Sequence, residues 1–234
     1  MKKLFQFSLL LLGLTATMSC FAQKQIKEGS IKFELADMGS DAPEMAMMNG
    51  TKMDFYFTKE IQRMDMNMMG GMMRIQVFVP ATKPADGTIL MDVMGQKFQL
   101  TNLTEDDLIN SNNMLNTDGI ESVVYDEKDT KTVAGYPCYR ADVKMSTGMS
   151  ATYYICEKIQ PPMQVKKDAK NQLKGFPLEL SIDTGMGVSM KFEAKEVVKG
   201  VSKEEITVNA EGYTKKTMEE FQKEMGGLNI GGGN

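Results

Sequence analysis

The chain has 234 residues and a formal charge of −4, and it contains neither histidine nor tryptophan. Without imidazole there is no Ser-His-Asp or Cys-His nucleophile pair, no HExxH zinc site and no histidine proton shuttle, which argues against conventional hydrolase mechanisms. The acidic balance argues equally against a nucleic-acid surface, which needs a basic excess.

Residues 1–22, MKKLFQFSLLLLGLTATMSCFA, read as an export signal: two lysines, an apolar run from Leu4 to Leu14, then small residues. The run is too short for a membrane span, and Cys20 at −3 with Ala22 at −1 places cleavage before Gln23. Loss of Lys2 and Lys3 takes the net charge to about −6. The alternative is a lipoprotein anchored through Cys20, which follows Ser19, although Thr17 stands where such signals usually carry leucine. No later segment has the apolar length of a transmembrane span. Residues 23–225 then form a single domain, and 226–234 a flexible glycine-rich tail.

Beyond the leader, apolar residues recur at every second position, the signature of half-buried antiparallel strands. Ile31, Phe33 and Leu35 alternate with Lys32 and Glu34, and Met53, Phe55 and Phe57 with Lys52, Asp54 and Thr58. Gly70-Gly71 predicts a hairpin that sets Met68 opposite Met73. Met64, Met66 and Met68 then share an apolar face with Met73, Ile75 and Val77, while Arg63, Asp65, Asn67, Arg74 and Gln76 lie on a wet one. Gly95-Gln96 predicts a second hairpin, pairing Met91 with Leu100 and Val93 with Phe98.

A helical or irregular stretch follows at 104–113, then a strand from Ile120 to Tyr125. AGYPCYRADVKM and MSATYYIC form a hairpin around Gly148, with Tyr139 opposite Ile155, Ala141 opposite Tyr153 and Val143 opposite Ala151. That register also opposes Cys138 to Cys156, a spacing suited to a disulfide in an exported protein. A short helix is predicted within 162–174. A hairpin follows, aligning Leu178, Leu180 and Ile182 with Phe192, Met190 and Val188, and then a short strand at Ile206 to Val208. The last helix begins near Thr217, capped by Glu220, with Met218, Phe221 and Met225 as its apolar stripe.

Thirteen of the 23 methionines lie between Met38 and Met94. Three explanations compete: flexible core filler, an adaptable wall for an acyl chain or other apolar ligand, and a copper(I) site of thioethers around MDMNMMGGMM. The third requires convergence. Pleat parity turns Met69 and Met72 away from Met68 and Met73, so a further element such as DAPEMAMM, with Met45, Met47 and Met48, has to contribute. Glu105, Asp106 and Asp107 read as a solvated helix start rather than a cation site. P-loop, GxSxG, complete dinucleotide and EF-hand motifs are absent from the sequence.

AGYPC, the YYICEKI strand, GFPLEL and the ending EGYTKKTMEEF together resemble a family of uncharacterised secreted bacterial proteins near the GLPGLI-type exported proteins. Its strand plan is similar to the LolA-like lipoprotein carriers. The resemblance covers most of residues 25–225, and GFPLEL departs from the GLPGLI signature. It implies a mainly β (α+β) fold: an incompletely closed antiparallel barrel of about ten strands, with two or three helices over a concave apolar face.

The expected function is non-enzymatic, with no catalytic residue and no cofactor. The protein is read as an envelope protein, periplasmic or secreted, binding a hydrophobic small molecule or lipid chain. Phe55, Phe57, Met64, Met66, Met91 and Phe98 are the candidate ligand-binding residues. The alternative is a structural module with a filled core and an envelope protein partner. Copper(I) binding is the third reading.

Overall fold

The computed structural model describes residues 25–39, 48–104, 107–108, 120–146, 148–161, 173–183 and 189–224. The leader with Cys20, the loop carrying Met45 and Met47, the helix expected within 162–174 and the tail from 226 therefore lie outside the described residues, wholly or in large part. Among the described residues, no helix is long and apolar enough to cross a membrane.

The strands are β1 (Gly29–Met38), β2 (Lys52–Phe57), β3 (Ile61–Met68), β4 (Met73–Pro80), β5 (Thr88–Val93) and β6 (Gln96–Thr101). A second run comprises β7 (Ile120–Val133), β8 (Tyr136–Met145), β9 (Ser150–Cys156), β10 (Phe176–Asp183) and β11 (Ser189–Lys199), followed by β12 (Thr214–Thr217). They form one twelve-stranded sheet in the order β12-β6-β5-β4-β3-β2-β1-β11-β10-β9-β8-β7. Two meanders are thus joined where β1 pairs antiparallel with β11. The sheet does not close: β7 and β12 are its edges. The strand number exceeds the ten expected, and β12 adds to β6 in parallel, the exception in an otherwise antiparallel sheet.

Two hairpins match their predicted register residue for residue: Met68 opposes Met73, and Tyr139 opposes Ile155. Two others are displaced by two residues. Met91 pairs with Phe98 and Ile89 with Leu100, because the turn is Met94-Gly95 rather than Gly95-Gln96. Both turn residues adopt positive φ, 53° and 85°, as a two-residue hairpin turn of primed type requires. Leu180 likewise pairs with Phe192 and Ile182 with Met190, Asp183 and Ser189 being the last opposed pair. A displacement of two preserves the pleat, so every inward residue stays inward.

β7 runs to Val133, well past the expected Tyr125, and turns into β8 through Ala134-Gly135, both at positive φ. Residues 206–208 do not form the expected strand. Ile206 instead ends helix α1 (Lys203–Ile206), which Ser202 and Glu205 close with reciprocal capping hydrogen bonds. Helix α2 (Met218–Glu224) begins with the expected box: Glu220 N–H donates to Thr217 Oγ1 at 3.1 Å, and Thr217 N–H to Glu220 Oε2 at 2.8 Å.

The face opposite the core is not simply wet. Asp65 is 7% exposed and accepts from Arg63 Nε and Nη2 at 2.6 Å, Arg74 Nη2 at 2.8 Å and Gln76 Nε2 at 3.0 Å. Arg63 stacks between Tyr56 and Phe78 and donates through Nη1 to the Glu205 carbonyl, which fastens α1 to this face. Burial pushes the Asp65 carboxyl up, but the hydrogen bonds from Arg63 and Arg74 outweigh it and hold the group below its ordinary value. The stabilisation is present above the unfolded value near 3.9 and fades as pH falls through the lower folded one. Asp65→Asn is expected to cost about 3 kcal/mol at pH 7, because two guanidinium groups lose their counter-charge. In urea titrations the gap between wild type and variant should narrow in acid, below about pH 4.

Candidate ligand-binding face

Pairing across six strands generates two unbroken rows on the inner face. One runs Phe33, Met53, Met66, Ile75, Met91, Phe98. The next runs Ile31, Phe55, Met64, Val77, Ile89, Leu100. Five of the six expected ligand-binding residues fall on these rows, and Phe57 follows Phe55 on the same face of β2. The inner surface continues beyond β1 through Phe192, Leu180, Tyr153 and Ala141. It is continuous because each hairpin keeps the same parity.

All six candidates belong to or border the main core. Phe55, Phe57, Met64, Met91 and Phe98 are buried, and Met66 is half-buried at the margin. Phe55 stacks on Phe57 at 5.6 Å between centroids and on Phe176 at 5.2 Å. Phe98 meets Phe221 of α2 edge-on at 5.4 Å, so the last helix caps this end of the row through one buried side chain. Gly175 precedes Phe176 at a point where a Cβ would come within 2.6 Å of the Cys156 backbone, and glycine there lets β10 reach the core.

The polar groups of this face are few. Burial pushes the Tyr153 hydroxyl up to about 12, so it stays protonated at neutral pH. Cys138 and Cys156 are both buried in the main core. Both are free thiols in this structure, and their interaction with one another raises the Cys138 thiol and lowers Cys156 to about 7. Cys138 Sγ also donates to the Tyr136 carbonyl at 3.5 Å.

A cavity of about 520 Å³ opens elsewhere, between β7 and β11. Asp142, Lys144, Thr152, Ser181 and Asp183 help to line it, and they alternate with the inward Val143, Ala151 and Ile182. Thr152 Oγ1 donates to Asp142 at 2.9 Å and Arg140 Nε to the same carboxylate at 3.0 Å. Val124, Val143, Ala151 and Ile182 complete the lining, so its walls are mixed, apolar side chains alternating with hydroxyls and charges. Among the described residues there is no group of three or more Cys, Asp or Glu side chains arranged to hold a metal ion.

Sequence reasoning missed three features of this region. The Ser202-to-Glu205 capping box was signalled by the S-x-x-E spacing in SKEE. The four residues of β12 are polar, without apolar alternation to mark them. The tie from Arg63, the partner of Asp65, runs to α1, which is distant in sequence.

No family model matches the chain, and no curated protein matches it by sequence. Among solved structures, it is similar to the lipoprotein LppX of Mycobacterium tuberculosis at 10% identity, over 76% of this chain and 89% of that one, with a TM-score of 0.39. The Pseudomonas aeruginosa MucA/MucB complex gives 11% identity over 78% of this chain and 55% of that one, at a TM-score of 0.40. A DUF1329 family protein from Desulfovibrio piger gives 10% identity over 81% and 92%, at 0.33.

The two central methionines should separate by burial. Met64→Ala is expected to cost about 3 kcal/mol, within the range for large-to-small changes in a close-packed core. Met66→Ala, at the half-buried margin, should cost about 1 kcal/mol, since part of its side chain already meets water. Urea unfolding of the two variants measures both.

Proposed function

We propose that the protein is an exported, non-enzymatic envelope protein, related to the LolA-like carriers, that takes an apolar or amphiphilic ligand against the inner face of its open sheet. The ligand class is a lipid or a lipoprotein acyl chain. The observation that supports this reading is the pair of unbroken rows of Phe, Met and aliphatic side chains crossing six strands of a sheet that does not close. Unbranched methionines at Met64, Met66 and Met91 can repack around a chain of variable length, which branched residues do less readily.

Because the phenylalanines are buried, a ligand has to displace part of the cover, and α2 is the segment suited to that. It is seven residues long, contributes Phe221 as its buried residue, and follows an edge strand of four residues. The same close packing favours the second reading, a filled core whose outer surface serves a protein partner.

N-phenyl-1-naphthylamine reports entry. Wild type is expected to give a saturable fluorescence rise, and Phe221→Ala, which uncovers Phe98, to bind the probe severalfold more tightly. Lipid extraction and mass spectrometry of the protein purified from its native envelope should return a bound lipid. Absence of saturable probe binding in both forms, together with an empty extract, would leave the filled-core module.

In the exported setting we also infer that Cys138 and Cys156 are joined. Closing a loop of about 18 residues is worth roughly 3 kcal/mol in the chain-entropy model. Reductant should add two hydrogens to the intact mass and lower the urea midpoint by a corresponding amount. Free thiols in protein isolated under alkylating conditions would refute the bond.

A further inference from the structure

The methionines at one end of β3 to β5 form a cluster separate from the main core. Met68 directly opposes Met73, and Met73 opposes Val93, the three being buried together. Met48, Met66 and Met69 pack against them, along with Ile75. Five methionine side chains therefore pack together from three parts of the chain: the approach to β2, the end of β3 with its turn, and the start of β4.

Pleat parity alone would turn Met69 away. Its φ of 55° folds the strand end over and brings it back to the cluster, while Met48 supplies the additional element that the hairpin lacks. Met48 is fixed by its carbonyl, which accepts from Thr51 Oγ1 at 2.6 Å and from Thr51 N–H at 3.1 Å.

Two more methionines stand outside. Met72 is 45% exposed and Met94 is 73% exposed, each on a hairpin turn. Their turns are tied by a hydrogen bond from Met94 N–H to the Met72 carbonyl at 2.7 Å. Met94 also holds a φ of 53°, a conformation that favours glycine or asparagine. Hydrophobic packing explains buried methionines but gives no reason for thioethers in water on two linked turns.

We propose that this end of the sheet is a binding site for a soft monovalent cation, copper(I), with Met68 and Met73 as the central pair and Met48 and Met66 completing the thioether set. Met72 and Met94 form the exposed approach to it.

The chemistry follows from the donors. Neutral thioethers suit copper(I) and bind hard or borderline divalent ions poorly. Directly opposed residues on a sheet have Cβ atoms about 4.5–5.5 Å apart, so two Met side chains with three torsions each can aim their sulfurs at one ion. The chain has no histidine, so no imidazole competes. The ion binds as supplied, without electron transfer.

The test uses the full exported chain, with silver(I) as a redox-inert probe and copper(I) under anaerobic conditions. Spectra of protein carrying ¹³C-methyl methionine should show the methyls of Met48, Met66, Met68 and Met73 shifting together at one equivalent of silver(I). Competition against a bathocuproine chelator should give a copper(I) affinity that falls at least tenfold in the Met68→Leu/Met73→Leu double variant. Met-to-Leu exchange conserves volume, so the variant should fold, and urea midpoints check this. Shifts confined to Met72 and Met94, unshifted methyls, or an affinity unchanged in the double variant would each overturn the proposal.

Discussion

The architecture depends on the pairing of β1 with β11. Each meander pairs strands that follow one another in the chain, most of them through short turns, so its closure costs less than joining distant segments. β1 and β11 are far apart in sequence, and their union buries two edges that would otherwise present free N–H and C=O groups to other chains. It also makes one inner surface out of two: Phe33 of β1 opposes Ala194 and Leu35 opposes Phe192, so the rows of the first meander run on into the second. Two register shifts within this pair, next to Lys32 and Leu35, accommodate the bending of so wide a sheet.

The two faces of this sheet are stabilised differently. On the inner face, buried phenylalanine and methionine contribute non-directional apolar burial, which tolerates repacking. The outer face carries directional polar clusters. Asp65 gathers Arg63, Arg74 and Gln76, and the buried Glu179 is held between Lys131 and Lys191. Such clusters need fixed geometry to offset desolvation, so they hold strands in register while the inner side chains keep freedom to rearrange. That division is compatible with the ligand binding proposed for the inner face.

Methionine then serves different ends along the same strands. At Met53, Met64 and Met91 it fills a close-packed core. At Met68 and Met73 it lines a small separate cluster at the sheet end, and at Met72 and Met94 it meets solvent. The residue type is the same throughout, and position along the strand decides its setting: close-packed in the interior, clustered or exposed at the rim.

The alternation of residues by itself determined which side chains face inward, and it did so even where the pairing differed. The hairpins at Met94-Gly95 and at 183–189 close two residues from their expected registers, yet Met91, Phe98, Leu180 and Phe192 keep their face, because the pleat repeats every two residues. The capping box at Thr217 and the left-handed Gly148 were legible for the same reason, being local in sequence. Tertiary structure alone decided what pairs over long distances: β1 with β11, β12 in parallel with β6, and α1 with Arg63. It also decided that Met48 and Met69 join Met68 and Met73, since that depends on a turn's φ and on a loop's path, neither of which a two-residue period encodes.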